Sequence, residues 1–205
     1  MQIIGICGLI GSGKGAASDI LVQEFGFEKV SFADSLKDCV SAVFGWDRPL
    51  LEGDTIESRN FRELVDPFWS KKMGKEITPR YILQKVGTEA MRDTIHGNIW
   101  IDSLERKLKA DGKYVIPDVR FKNELEFIQS LNGEFFEIQR GPLPEWWGAA
   151  WIQNNFCMPY MTQKYPDIHL SEWDWIGRSG GKNHHTIKND GTLEDLKSQI
   201  LAIIN

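Results

Sequence analysis

The sequence has few cysteines, no excess of basic residues and no long apolar run. Its three cysteines, Cys7, Cys39 and Cys157, are widely spaced and form no CxxC pair, so we expect a reducing, cytoplasmic compartment. Lys and Arg number 24 against 29 Asp and Glu, a net charge of −5, which argues against a partner that is nucleic acid or an anionic membrane. The longest apolar stretch, at the N-terminus, is short and broken by glycine. We therefore expect neither a signal peptide nor a membrane span.

The composition that is present is that of a globular protein. Of the 205 residues, 41% are hydrophobic and 26% are charged, which is enough apolar material for a core and too little charge for disorder. The length predicts a single domain over residues 1–205. We find no repeat and no low-complexity tract.

Short apolar runs alternate with helical patterns along the chain. The runs predict five strands, at 2–7, 28–32, 113–117, 134–139 and 184–188. Apolar residues at helical spacing predict helices around Val40, Leu104, Ile128 and Leu196. Thr192 and Asp195 predict a capping box, and Thr78-Pro79 predicts a helix start. Strands that alternate with helices predict an α/β fold with a mainly parallel sheet.

Two stretches have no clear period. Residues 46–77 mix charges, aromatics and prolines, and we interpret them as a helical insertion. Residues 141–183 contain five of the eight tryptophans, namely Trp146, Trp147, Trp151, Trp173 and Trp175. This Trp-rich stretch is either a locally packed insertion with its own aromatic cluster, or a lid or partner-binding surface.

The most specific motif is a glycine-rich loop between the first strand and the first helix. Its spacing matches the P-loop, and its members are Gly8, Gly11, Ser12, Gly13, Lys14 and Gly15, with the helix beginning near Ala16. Glycines allow successive backbone N–H groups to point at a phosphate, and the lysine reaches the β- and γ-phosphates. Gly15 replaces the usual Ser or Thr ligand of Mg²⁺, so Ser12 is the candidate ligand in this loop. The sequence predicts a nucleoside triphosphate site.

Asp118 and Arg120 follow the third predicted strand. In an open parallel sheet the carboxyl ends of the strands face the ligand, so this aspartate can hold Mg²⁺, directly or through water. The arginine can neutralise charge on the transferred phosphoryl group. The alternative is that Asp118 caps the next helix and Arg120 is its surface partner.

Other polar residues fit a phosphorylated acceptor. Lys37 lies one turn into a predicted helix after Phe32, which could stack on a base, although such a lysine is also commonly only solvated. Arg80, Gln84 and Thr88 are four residues apart and share a helix face, which suits a nucleotide or is a plain hydrophilic face. Gly87 and Arg92 lie beside that face.

Further candidate residues follow the fourth and the fifth predicted strand. Arg140 opens the Trp-rich stretch and is a candidate lid arginine. Asn189 and Gly191 follow the last strand and could flank the adenine of ATP, although Asp-Gly also forms ordinary turns. The chain has no Asn-Lys-x-Asp motif, which argues against a GTPase, and His184-His185 lacks the spacing of a zinc site.

Taken together, the chain resembles the deoxynucleoside monophosphate kinases of tailed bacteriophages, a branch of the P-loop kinase superfamily. The resemblance rests on segments in the same order: GLIGSGKG, FADSLKD, LQKVGTE, NIWI, VIPDVR, the strand ending at Gln139-Arg140, IHLSE and IKNDGTLEDL. It covers about 60% of the chain and implies a three-layer fold with a five-stranded sheet flanked by helices. In this fold 46–77 would be a helical insertion on the side of the phosphoryl acceptor, and 141–183 would be the lid insertion. The implied activity is ATP- and Mg²⁺-dependent phosphorylation of a dNMP, in the host cytoplasm for a phage-encoded enzyme.

The resemblance also implies roles for residues. Residues 11–14 would hold the donor phosphates, Asp118 and Arg120 would serve Mg²⁺ and the phosphates, and Arg140 would close from the lid side. Asn189 and Gly191 would flank the donor base. The residues implied around the acceptor nucleotide are Phe32, Ala33, Lys37, Arg80, Gln84, Gly87, Thr88, Arg92 and Trp100.

Two other functions stay open at the level of sequence. One is a P-loop kinase of another phosphorylated metabolite, of the dephospho-coenzyme A or phosphomevalonate type. The other is a non-catalytic nucleotide-binding module whose Trp-rich face binds a partner. For the kinase implied by the resemblance, the expected ligands are small-molecule nucleotides, and a homodimer is left open.

Overall fold

The computed structural model describes residues 1–178 and 183–204. Residues 179–182 of the Trp-rich stretch and the last residue of the predicted domain lie outside the described residues. The chain divides into two compact units, the first formed by Met1–Ser31 with Lys109–Asn205 and the second by Phe32–Leu108.

The first unit is built on a five-stranded sheet in which every pair of neighbouring strands is parallel. The strands are β1 (Gln2–Cys7), β2 (Glu28–Lys29), β3 (Lys113–Ile116), β4 (Glu134–Gln139) and β5 (His184–Lys188). Their order is β2-β3-β1-β4-β5. The sheet therefore extends from β1 in both directions, and ligands bind beyond the carboxyl ends of strands at such a reversal of strand order.

The predicted α/β class and parallel sheet are confirmed. β1, β4 and β5 have the predicted limits, and β3 ends one residue before the predicted position. β2 is much shorter than the predicted 28–32 and ends at Lys29, although the Val30 N–H still donates to the carbonyl of Val115 at 3.0 Å.

Helices fill most of the remaining chain. The α-helices are α1 (Lys14–Phe25), α2 (Asp34–Phe44), α3 (Ile56–Glu63), α4 (Pro67–Met73), α5 (Pro79–Lys85), α6 (Ile99–Glu105), α7 (Lys122–Ser130), α8 (Trp147–Phe156), α9 (Tyr160–Lys164) and α10 (Leu193–Ile204). Short 3₁₀ turns occupy Arg48–Leu51 and Leu170–Glu172, and a π-helical turn occupies Val86–Arg92. No helix in the described part of the chain is long and apolar enough to cross a membrane.

Both predicted helix starts are confirmed. The Thr78 hydroxyl accepts a hydrogen bond from the Tyr81 N–H at 3.2 Å, with Pro79 at the first helical position. At α10, Asp195 accepts from the Thr192 N–H at 2.8 Å, and the Asp195 N–H donates to the Thr192 hydroxyl at 3.2 Å. These bonds satisfy N–H groups that have no partner within the helix.

The core of the first unit lies between the sheet and the helices α1 and α10. β1 contributes Ile4 and Ile6 to this core, α1 contributes Leu21, and α10 contributes Leu196 and Ile200. This packing fixes the point at which β1 ends and α1 begins, because both elements are anchored by buried apolar side chains.

The second unit is entirely helical, and the 46–77 stretch lies in it. Its core consists of Val40, Trp46, Leu51, Ile77, Ile82 and Leu83. The Trp46 indole N–H donates to Asp66 at 2.7 Å, and the same carboxylate caps α4 by accepting from the Trp69 N–H at 2.8 Å. The stretch lacks a clear sequence period because its helices are short and are defined by caps.

The Trp-rich stretch belongs to the first unit and folds around its own side chains. Trp173 and Trp175 are buried, and the Trp175 ring contacts that of Trp147 edge to face at 5.4 Å between centroids. Asn154 of α8 is buried and donates to the carbonyls of Trp173 and Ile176, both at 2.9 Å. The turn at 173–176 is therefore attached to α8.

Candidate active site

The P-loop connects β1 to α1 as the sequence predicts, and the helix begins at Lys14, before the predicted start near Ala16. Gly8 has a φ of +145°, and a Cβ at this position would lie 2.4 Å from the carbonyl oxygen of Ile138 in β4. Gly13 has a φ of +99°. Side chains are disfavoured at both positions by backbone conformation and by space, so the two glycines are required for the path of the loop.

Lys14 is the last residue of the P-loop, and its side chain folds back onto the start of the loop. Its ammonium donates to the carbonyl oxygens of Gly8 at 2.7 Å and Leu9 at 2.8 Å. Burial, together with the nearby positive charge of Arg120, lowers the pKa of Lys14 to about 8, and the negative charge of Glu172 opposes this shift. An anion that binds beside a cation with such a lowered pKa stabilises its charged form.

The loop after β5 contacts the P-loop. The side-chain amide of Asn189 is buried and donates to the carbonyl of Ser12 at 2.8 Å. Asp190, the next residue, accepts a hydrogen bond from the Gly141 N–H at 2.6 Å. The segment with Asn189 and Gly191 is thus next to the P-loop and to the chain that follows Arg140, which is itself exposed.

Asp118 and Arg120 lie in the connection between β3 and α7. Asp118 accepts a hydrogen bond from the Ser31 hydroxyl at 2.6 Å. The cap of α7 is supplied by Glu124, which accepts from the backbone N–H of Arg120 at 2.8 Å and of Phe121 at 3.1 Å. Glu124 is therefore a cap of α7 that the sequence analysis did not predict.

Sequence reasoning missed two carboxylates around Arg120. Glu124 stands at the third position of its helix, where a capping-box glutamate is typical, so this signal was available. Glu172 accepts a hydrogen bond from Arg120 Nη1 at 2.9 Å. Its only sequence signal was its membership of the IHLSE segment, which carried no chemical role.

A magnesium ion can be tested against this arrangement. The described residues contain no cluster of three or more His, Cys, Asp or Glu that could hold a metal. Mg²⁺ in phosphoryl transfer needs no such cluster, because one or two protein ligands combine with substrate phosphates and water. Asp118 offers a carboxylate at the end of β3, and the Ser12 hydroxyl is buried without a hydrogen-bond partner in the described structure. These two oxygen ligands fit Mg²⁺.

The candidate acceptor residues lie in the second unit, and several of them are paired there. Lys37 contacts Glu52 at 2.6 Å, and Arg80 forms an ion pair with Glu63. Gln84 and Thr88 are exposed. They do not belong to one continuous α-helix, because the chain changes from α5 to the π-helical turn after Lys85.

The aromatic candidates are buried in the structure. Phe32 is 3% exposed and Trp100 is 5% exposed. The Trp100 indole donates to the carbonyl of Gly87 at 2.9 Å, which ties α6 to the π-helical turn. Ala33 precedes α2, and Arg92 ends the π-helical turn.

Comparison with known proteins gives one relative over the whole chain. A protein of Acanthamoeba polyphaga mimivirus whose name assigns it to the deoxynucleotide monophosphate kinases is 30% identical over 220 residues, which cover 100% of this chain and 97% of that protein. The deoxynucleoside-5'-monophosphate kinase of Escherichia phage T5 is 45% identical over 58 residues, which cover 27% of this chain and 23% of that enzyme. No family model matches the sequence.

Solved structures give weaker likenesses. Dephospho-CoA kinase from Campylobacter jejuni has a TM-score of 0.46 at 17% identity, covering 100% of this chain and 96% of that chain. A gluconokinase from Sinorhizobium meliloti 1021 has a TM-score of 0.42 at 11% identity, covering 98% and 90%. Likenesses of this degree carry no information about the substrate.

Proposed function

The chain belongs to the deoxynucleotide monophosphate kinase family, and from this premise we propose that it transfers the γ-phosphoryl group of ATP to a deoxynucleoside monophosphate. An oxygen of the acceptor phosphate attacks the γ-phosphorus, the bond to the β,γ-bridging oxygen breaks, and ADP and a dNDP leave. The acceptor oxygen is already a competent nucleophile, so the tasks of the protein are alignment, charge neutralisation and exclusion of water. We place the reaction in the cytoplasm, where both substrates are found.

The observation that carries this proposal is the position of Lys14 within a P-loop in a chain related to such kinases over its whole length. Its ammonium is held by the carbonyls of Gly8 and Leu9 beside backbone N–H groups that start α1. This arrangement suits a polyphosphate, because the ammonium and the helix N-terminus both attract negative charge. Asn189 and Gly191 support a place for the donor base next to the same loop.

Asp118, Ser12 and Arg120 serve the transferred group. Asp118 and Ser12 would hold Mg²⁺, which when bound supplies neutralisation of the β- and γ-phosphate charge. Arg120 supplies a guanidinium that neutralises the charge spread over the phosphoryl oxygens in the transition state. Arg140 is proposed to approach from the Trp-rich stretch, which we propose acts as a lid.

The second unit is proposed to bind the acceptor. Arg80 and Lys37 would hold its phosphate, and Gln84 would contact the base through its amide. Both cations are paired with carboxylates, Glu63 and Glu52 respectively, so acceptor binding requires each to share or exchange its partner. Such exchange is inexpensive for the exposed Arg80–Glu63 pair, since exposed ion pairs contribute about 0–1 kcal/mol. It costs more for Lys37, whose side chain is only 12% exposed.

The proposal is tested by ADP release from Mg-ATP with the purified protein. The acceptor panel contains dAMP, dGMP, dCMP, dTMP, the ribonucleotides and dephospho-coenzyme A. We expect turnover with one or more dNMPs and its loss in Lys14→Ala. Turnover only with dephospho-coenzyme A would refute the proposed acceptor, and no turnover with any acceptor at full ATP binding would favour a nucleotide-binding module.

A further inference from the structure

Glu172 in the Trp-rich stretch contacts Arg120, the arginine proposed to neutralise the transferred phosphoryl group. It ends the 3₁₀ turn Leu170–Glu172, and its Oε1 accepts a hydrogen bond from Arg120 Nη1 at 2.9 Å. Its side chain is 26% exposed and that of Arg120 is 39% exposed. The contact therefore lies at the edge of the site, where an arginine without a partner would move freely.

The turn that carries Glu172 is fixed at several points. Asn154 donates to the carbonyls of Trp173 and Ile176, both at 2.9 Å. Arg178 contacts Asp174 at 3.0 Å. A carboxylate on such a turn has few accessible positions, so the direction it imposes on a bound guanidinium is defined.

A second contact links the same turn to the same catalytic loop. Asp174 accepts a hydrogen bond from the backbone N–H of Lys122 at 2.8 Å. Arg120 lies in the connection between β3 and α7, and Lys122 is the first residue of α7. Glu172 and Asp174 therefore bind the start of α7 and the residues before it at two points.

The local charges favour the same role. Lys14 and Arg120 are two cations close enough to affect each other, and Glu172 counteracts their repulsion. A guanidinium has five donors. With one donor engaged by Glu172, the remaining donors can still bind phosphate oxygens. The carboxylate therefore restrains Arg120 without occupying all of its donors.

We propose that Glu172 is a positioning residue that holds the Arg120 guanidinium in the orientation needed for phosphoryl transfer. This inference rests on the proposed function, in which Arg120 contacts the transferred group. It gives the Trp-rich stretch a specific task, which is to carry a fixed carboxylate to a catalytic arginine. Orientation is valuable because misplacement of a catalytic group by about 1 Å costs up to about 100-fold in rate.

The test is a double-mutant cycle with Glu172→Gln, Arg120→Ala and the double variant. Kinetic constants and thermal unfolding are measured for each, and Glu126→Gln serves as the matched control because Glu126 forms an exposed pair with Lys122 on α7. We expect Glu172→Gln to lower kcat about tenfold with little change in the KM for dNMP and in the Tm. In the Arg120→Ala background the same substitution should have no further effect, since the residue acts through Arg120.

The opposite results overturn the inference. Wild-type kcat in Glu172→Gln would make the ion pair incidental. An equal loss in both backgrounds would show an action independent of Arg120. If Glu172→Gln unfolds, Glu172→Asp keeps the charge on a shorter chain, and it should lower kcat at an unchanged Tm; wild-type kcat in this folded variant would contradict positioning.

The proposed function is tested separately, by the activity of the wild-type protein. A wild-type protein that phosphorylates no dNMP refutes that function. The same four proteins are then compared by calorimetric titration with Mg-ATP. Positioning predicts that Glu172→Gln changes the affinity for Mg-ATP more in the wild-type background than in Arg120→Ala, because the carboxylate acts through the arginine. An equal change in both backgrounds, or a larger one in Arg120→Ala, would refute it.

Discussion

The side-chain amide of Asn189 donates a 2.8 Å hydrogen bond to the carbonyl of Ser12, 177 residues earlier in the chain. The bond closes the last loop of the first unit on the P-loop. It is buried, and removal of a partner would leave the Ser12 carbonyl unsatisfied, which costs about 1–3 kcal/mol. The P-loop conformation therefore depends on a residue that follows the last strand.

Gly13→Ala should disrupt this contact. A Cβ at residue 13 would lie 2.1 Å from Asn189 Nδ2, and the φ of +99° is strained for alanine. We expect the affinity for Mg-ATP to fall by about tenfold or more, on the scale of 1–3 kcal/mol for such strain. Calorimetric titration measures this loss.

Gly148→Ala is the matched control for that substitution. Gly148 is exposed in α8, and a Cβ there meets nothing within 4 Å. Because alanine favours helix by up to about 1 kcal/mol over glycine, this variant should keep its ATP affinity and unfold at an equal or higher temperature. Wild-type affinity in Gly13→Ala would show that the P-loop tolerates a different path.

Lys14→Met should abolish most of the phosphoryl transfer while the protein stays folded. The substitution keeps an unbranched side chain and removes a cation that is costly to bury. We expect kcat to fall by about 100- to 1000-fold, the scale for loss of one group that stabilises transition-state charge. The unfolding temperature should change little, because relief from burial of the cation opposes the loss of its hydrogen bonds to the carbonyls of Gly8 and Leu9. Turnover within a few fold of wild type would refute the P-loop assignment.

The affinity for ATP should decrease as the pH rises above about 8. In the free protein burial lowers the pKa of Lys14 to about 8, and bound phosphates raise it by stabilising the ammonium. Below pH 8 Lys14 is charged in both the free and the ATP-bound protein, so the affinity for ATP does not change with pH. Above pH 8 binding must take up a proton, and the affinity falls by up to about tenfold per pH unit. Titration calorimetry in two buffers with different ionisation enthalpies counts that proton.

Lys14→Arg separates this effect from other titrations. A guanidinium keeps its charge throughout this range, so binding by the variant should be weaker in absolute terms and level between pH 7 and about 9.5. The same decline in Lys14→Arg as in the wild type would assign the proton to another group.

The sequence predicts the sheet and the P-loop well because both rest on local signals. Apolar runs next to a glycine mark β1 and β4, and glycine spacing marks the phosphate loop. β2 is shorter than its apolar run, because an apolar side chain such as Phe32 can be buried outside a strand. Burial of an apolar side chain therefore does not determine whether its backbone forms the hydrogen bonds of a strand.

The parts that sequence could not predict depend on contacts between distant segments. The pairing of Lys37 with Glu52 and of Arg120 with Glu172 follows from the folded path of two irregular stretches with no periodicity. The π-helical turn after Lys85 likewise changes the face on which Thr88 lies. Spacing of four residues predicts a common face only while the helix stays α-helical.

Substitutions of Arg120, before α7, and of Glu124, in the first turn of α7, should separate effects on kcat from effects on stability. Arg120→Ala removes a half-exposed pair, worth about 0–1 kcal/mol, so its Tm should fall by no more than about 4 °C. Its kcat should fall about 100-fold, because the charge proposed to neutralise the transferred phosphoryl group is lost.

Glu124→Ala should give the opposite pattern. Glu124 is 2% exposed, and its carboxylate accepts the N–H groups of Arg120 and Phe121. Loss of these bonds should lower the free energy of unfolding by about 1–3 kcal/mol, measured by urea denaturation. The fractional loss of kcat at a temperature where the variant is folded should be smaller than for Arg120→Ala. If Arg120→Ala instead unfolds much earlier at unchanged specific activity, Arg120 is a structural residue of the β3–α7 connection, and the charge that faces the phosphoryl group must come from elsewhere in the chain.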